Sequence, residues 1–231
     1  MLLYPSTGTL EWMRRHALLI GELERFRAGR RSIEVLDFGG AGGALERALR
    51  LYGREHHYRV ITADIDPVAE IVLQPDGKLP IEAVDVVVSS DVFEHIPPDA
   101  RAHWAAELTR VARLGQAHTF PADGMDGTWA STSTDQELDA WHRREFGVPE
   151  RWTAEHLAGS EPTIEEMLRL FPDAQVRGFA NVNIWLAMLR DQLRRRGRRS
   201  RLRFALRYLR ELRSQDRESP WKGALLTSRR D

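Results

Sequence analysis

The chain has no cysteine, which excludes disulfides and thiolate metal sites. It has no apolar run of about 20 residues, the length a membrane-spanning helix needs. Pro5 and a series of charges interrupt its start, so no signal peptide is expected and the default is a soluble, cytoplasmic protein. Net charge is also missing, because 34 Lys and Arg balance 34 Asp and Glu. No whole-molecule field therefore draws a polyanionic partner.

What is present fits one α/β domain. A chain of 231 residues with 42% hydrophobic content can bury a large core, and it suits a single embellished domain better than two. The balanced charge hides an asymmetry: residues 190–231 hold fifteen basic and five acidic side chains.

The chain is organised around Ser32 to Gly43, SIEVLDFGGAGG. Ile33, Val35 and Leu36 make an apolar run, glycines follow, and helix formers resume at Ala44, which predicts strand, tight turn, helix. Glycine allows φ > 0 and close approach of backbone to a ligand, while the new helix offers unpaired N–H groups. Gly39, Gly42 and Gly43 do not match G-x-G-x-x-G, and no Gly-Lys-Ser/Thr follows, so this is neither a dinucleotide turn nor a phosphate loop. Leu36-Asp37-x-Gly39-x-Ala41-x-Gly43 instead resembles the first motif of the S-adenosylmethionine-dependent methyltransferases, L-D-x-G-x-G-x-G, with Ala41 at the middle glycine.

Further along, Tyr58 to Ala63 predicts a second strand ending in Asp64-Ile65-Asp66. An acid at that point is placed to accept hydrogen bonds from ribose hydroxyls. Asp64 and Ile65 match the family's acid and its adenine-stacking neighbour, with Asp66 the rival acid. Val84 to Ser90 is apolar on both faces, as a central strand of a helix-covered parallel sheet requires. The series Asp76-Gly77-x-Leu79-Pro80, apolar strand, Ser90-Asp91-Val92-Phe93-Glu94-His95-Ile96-Pro97 resembles a methyltransferase group acting on small molecules, lipids and sugars. That resemblance implies a Rossmann-like, seven-stranded, mostly parallel sheet with helices on both faces, and S-adenosylmethionine as cofactor. By the same resemblance Asp76 lies beside the adenine amino group, and Ser89, Ser90 and Asp91 border the methionine part and the reacting centre. The implied cofactor set is Asp37, Gly39, Ala41, Gly43, Asp64, Ile65, Asp76, Ser90 and Asp91.

The remaining segments are read from pattern. Trp12, His16, Leu19, Leu23 and Phe26 share one face of a helix from 9 to 27. A helix is expected over Asp99 to Arg113, and a fifth strand, weak in propensity, over Leu114 to Phe120. Residues 121–160 exceed an ordinary connection and predict a helical lid that selects the acceptor, with Asp135 to Phe146 its clearest helix. Glu155-His156-Leu157 followed by Pro162-Thr163 resembles an element of glycan-cluster methyltransferases. Thr163 and Glu166 form a capping-box pattern. Ala174 to Phe179 predicts the sixth strand, Asn181 to Arg195 and residues 202–212 two helices, and Pro220 to Ser228 an antiparallel closing strand. The run Arg194 to Arg203 admits a solvated helix face, a contact with anionic membrane, or nucleic acid, in that order.

These readings lead to methyl transfer onto a small polar acceptor, a hydroxyl of a sugar, glycolipid or natural product. His118, His95, His142 and His156 are candidate bases. Glu94 with His95 reads either as an acid–base pair or as a turn that fixes the next helix, and His118 either as a base or as a structural bridge. The alternatives are N-methylation of a small amine and a non-catalytic cofactor-binding module. No cysteine and no dense acid/His cluster along the chain imply metal-independent chemistry.

Overall fold

The computed structural model describes residues 10–74, 77–124, 126–194, 206–208, 210 and 215–230. Seven strands form one sheet: β1 (Ile33–Phe38), β2 (Tyr58–Asp64), β3 (Ile71–Val72), β4 (Val84–Ser90), β5 (Ala112–Pro121), β6 (Gln175–Asn181) and β7 (Trp221–Arg229). Their order is β3-β2-β1-β4-β5-β7-β6. The first five run parallel, and β7 lies antiparallel between β5 and β6. This is a Rossmann-like sheet, mostly parallel and seven-stranded as expected.

Period-2 alternation of an all-apolar strand explains the two cores. Val35, Val86 and Val88 face one side with Leu23, Phe26, Leu45 and Leu49 of α1 (Leu10–Arg27) and α2 (Ala44–Leu51). Leu36 and Val87 face the other side with Trp104, Leu108 and Met167 of α3 (Pro98–Val111) and α6 (Ile164–Leu170). Burial on both faces is why β1 and β4 carry apolar residues at successive positions. Strand β5, weak by propensity, is longer than expected because β4 and β7 pair with it along both edges.

The segment after β5, expected as a lid, holds two helices, α4 (Ser131–Phe146) and α5 (Arg151–Ala158). Helix α4 packs on α7 (Val182–Arg194), through Leu138 and Trp141 against Ile184, Trp185 and Met188, and its first turns reach β7, where Lys222 bonds Ser131 and Asp135. Arg194 bonds Glu145 at 2.9 Å and lies over the Trp141 ring, so the first arginine of the basic run is a lid fastener and not a free charge. The rest of that run, through Arg203, and most of the expected helix over 202–212 lie outside the described residues. Among the described residues no helix is long and apolar enough to cross a membrane.

Candidate functional site

All five parallel strands end on one edge of the sheet, and β7 begins there: Gly223 pairs with Pro121, and Ala122 N–H donates to Lys222 O at 3.2 Å. Ligand crevices of doubly wound sheets open on this edge.

The turn after β1 is built on bare backbone. Gly39 has φ +80, and a Cβ there would overlap Val92; a Cβ on Gly40 would overlap the Asp37 carboxylate. Gly40, which the motif does not specify, is therefore required by Asp37. Asp37 is 6% exposed, and burial, then Asp64 and Glu46, push its carboxyl up to about 7. Asp64 closes the turn from β2: its Oδ2 accepts Ala41 N–H at 3.1 Å and its Oδ1 accepts Asp66 N–H at 3.1 Å. Asp66 instead turns away, accepting Val68 N–H. The strand register thus sets Asp64, not its rival, against the glycine turn. Ile65 follows it at 74% exposure. Gly43, with φ 61, begins α2. Asp76 lies outside the described residues. Its flank is tied to α3, with His103 Nε2 2.9 Å from Gly77 O and Leu79 N–H donating to Glu107.

At the end of β4, Ser90 Oγ accepts from Thr119 Oγ1 at 3.3 Å. Asp91 takes φ +53, and its carboxylate pairs with Arg15 of α1. The leading helix thus both covers one sheet face and reaches across to the edge.

The four histidines separate. His118 is fully buried, its ring 2.8 Å from Ser89 Oγ and 3.1 Å from Gln116 Oε1, stacked on Phe171. Burial pushes its pKa down to about 3. Both of its nitrogens are engaged and the ring is closed to solvent. His142 bonds Val148 O at 2.8 Å at the far end of α4, away from the other three. His95 and His156 come together, ring centroids 5.7 Å apart.

Around them lies a cluster that no stretch of sequence displays. His156 Nδ1 is 3.0 Å from Asp135 Oδ2. Lys222 Nζ, 5% exposed, donates to the same oxygen at 2.8 Å, to Ser131 Oγ and to Glu161 Oε1 at 3.4 Å. Burial opposes charge on His156, but Asp135 outweighs it and raises the imidazole. Burial likewise opposes charge on Asp135, and Lys222 with His156 holds it below its ordinary value. Glu94, pushed up to about 7 by burial, has neither carboxylate oxygen hydrogen-bonded to another residue. The expectation that no dense acid/His cluster exists is thus corrected. Its members come from the turn after β4, the lid, the loop after α5 and the start of β7, with Lys222 and Asp135 separated by 87 residues. Buried Arg101 fastens two of these segments, bonding Phe93 O and Ile96 O at 3.1 Å, Ser160 O, and Glu166 at 2.8 Å.

Residues 11–124 match a family model described as a methyltransferase domain. No curated protein matches the sequence. Among solved structures, the chain is similar to Haemonchus contortus phosphoethanolamine N-methyltransferase 2, with 12% identity over 93% of this chain and 52% of that one at TM-score 0.51; those structures contain S-adenosylhomocysteine or S-adenosyl-L-methionine. It is similar also to magnesium protoporphyrin IX methyltransferase from Synechocystis with bound S-adenosylhomocysteine, with 10% identity over 95% of this chain and 83% of that one at TM-score 0.52. At such identities the likeness is one of fold. The matched segment runs from α1 past the end of β5. The turn fits S-adenosylmethionine, since Gly39 and Gly40 keep side chains out, Asp64 is anchored beside the turn, and Ile65 offers an exposed apolar face.

Proposed function

We propose that the protein methylates a hydroxyl of a small polar acceptor, a sugar, glycolipid or natural product. The observation that carries this reading is the His156–Asp135 pair in a buried polar cluster at the ligand edge. When bound, S-adenosylmethionine supplies a sulfonium-activated methyl group. The chain's own residues must align the acceptor, exclude water and take up a proton. Asp37, Gly39, Ala41 and Gly43 would line the turn that receives the cofactor. Asp64 would accept the ribose hydroxyls, Ile65 would pack on the adenine face with Asp76 by its amino group, and Ser90 and Asp91 would border the reacting centre.

A hydroxyl becomes an adequate nucleophile only as its proton leaves, and base assistance is worth about 10²–10⁴-fold. Asp135 holds His156 by Nδ1 and so fixes the orientation of the imidazole that would take up the proton. The test is to incubate the protein with S-adenosylmethionine and a panel of sugars, glycolipids and small amines, and to locate the new methyl group by NMR. We expect an O-methyl product, with turnover in His156→Ala lowered about 10²–10⁴-fold while S-adenosylhomocysteine still binds. An N-methyl product, or full turnover in His156→Ala, would overturn this reading.

A further inference from the structure

Asp135 Oδ2 is a shared acceptor. Lys222 Nζ lies 2.8 Å from it and His156 Nδ1 3.0 Å. Glu161 Oε1 stands beside the same pair, 3.4 Å from Lys222 Nζ and 3.7 Å from His156 Nδ1. The two carboxylates are withdrawn from water, with Asp135 0% and Glu161 3% exposed, so the charge on each group depends on the others. The sheet sets where the ammonium sits. Lys222 is the second residue of β7, its carbonyl accepts Ala122 N–H, and its Nζ also contacts Ser131 and lies over the Trp185 ring, 5.2 Å from the centroid.

Under the O-methylation reading, on which this inference rests, the acceptor's O–H proton passes to the His156 imidazole as the oxygen takes the methyl group. The imidazole must therefore begin neutral. Two buried carboxylates facing an imidazole alone would favour the imidazolium and fill the base before the acceptor arrives. An ammonium bonded to the same Asp135 oxygen offsets one of them. We propose that Lys222 is a positioning residue for proton uptake, holding Asp135 ionised as the partner of His156 and limiting how tightly the imidazole binds a proton. The surrounding charges agree in direction. Burial and Lys222 press the imidazole down, whereas Asp135 and Glu94 press it up, and the raising side prevails. His95, on the same turn as Glu94, is lowered by burial and then by His156, and Glu155, which precedes His156 on α5, acts on it in turn. Arg15 acts on Glu94 from α1. All of these groups stay in place when Lys222 alone is changed.

The test follows the His156 titration by NMR in full-length protein labelled in its histidine side chains. Alongside it, kcat/KM for an acceptor found in the panel is measured against pH. Lys222→Gln keeps a donor for Asp135 and removes the charge. We expect it to move the imidazole titration and the acid limb of the profile together to higher pH, by about one unit or more. Lys222→Arg keeps the charge and should keep both near their native positions. Stabilisation by S-adenosylhomocysteine certifies the fold of each variant. A second measurement needs no variant: the side-chain nitrogen resonance of Lys222 in the native protein should remain that of an ammonium across the whole acid limb. An imidazole titration that is unmoved or lowered in Lys222→Gln, whatever happens to turnover, would overturn the proposal, as would a Lys222 that loses its proton within that limb. The titration is read without turnover, so an N-methyl product would remove the base reading and leave this charge coupling standing.

Discussion

Asp37 sits against glycine backbone in a closed pocket, facing two further acids, Asp64 and Glu46. Its folded pKa of about 7 lies above the ordinary 3.8, so between those values the native state holds a proton that the unfolded chain releases. Stability from this group is therefore present at low pH and is lost as pH rises toward 7. Thermal melts of Asp37→Asn and the native sequence should give similar stabilities below pH 3.8, with the variant ahead by ~1 kcal/mol or more at pH 8. A gap that does not change with pH would show that the carboxylate is not destabilised. The identity of this acid was plain in the motif, whereas Asp64 came with Asp66 as a rival, because the sequence does not fix where the second strand ends. The pairing of Asp37 with Gly40 was not plain, since the motif position between two glycines carries no sign of which neighbour presses on it. His118 shows the same limit: a histidine near a strand end looks the same in sequence whether or not Phe93 and Phe171 close over it.

Elements with strong periodicity or terminal signals were legible. Helix α6 begins where Thr163 indicated, and the Thr163 hydroxyl accepts Glu166 N–H at 3.1 Å. The other half of the expected capping box is absent, because the Glu166 carboxylate is drawn 2.8 Å from Arg101. That diversion matters to the site. Arg101, 1% exposed, joins the turn carrying Glu94 and His95 to the loop leading into Glu161, and no local pattern marks one helical arginine as buried. Arg101→Met should cost ~3 kcal/mol in urea unfolding, since several buried acceptors lose their donor at once. It should reduce methyl transfer more than S-adenosylhomocysteine binding, because the cofactor turn is built by other elements. Equal losses in both would mean that Arg101 supports the whole edge.

At the scale of the molecule, a seven-stranded, mostly parallel sheet was expected from the resemblance of the motif series, whereas the cluster around His156 depended on contacts between distant segments. A ligand that binds only the native state stabilises it by about 2.7 kcal/mol at a hundredfold excess over Kd. For a chain of this size S-adenosylhomocysteine should raise Tm by roughly 5–10 °C. Asp64→Ala should lose most of that shift, measured by scanning calorimetry at matched ligand concentration. An undiminished shift in the variant would remove Asp64 from the cofactor site.

Strand β7 has a further meaning in time. It is the last described strand, yet it sits inside the sheet, between β5 and β6, and its second residue, Lys222, supplies the ammonium that Asp135 and Glu161 share. As the chain leaves the ribosome, β1 to β5 can pair in order, but two strand edges and two buried acids wait for residues near position 222. The cofactor edge can thus take shape well before the acceptor edge. A chain stopped short of β7 would lack both the strand between β5 and β6 and the ammonium that Asp135 and Glu161 share.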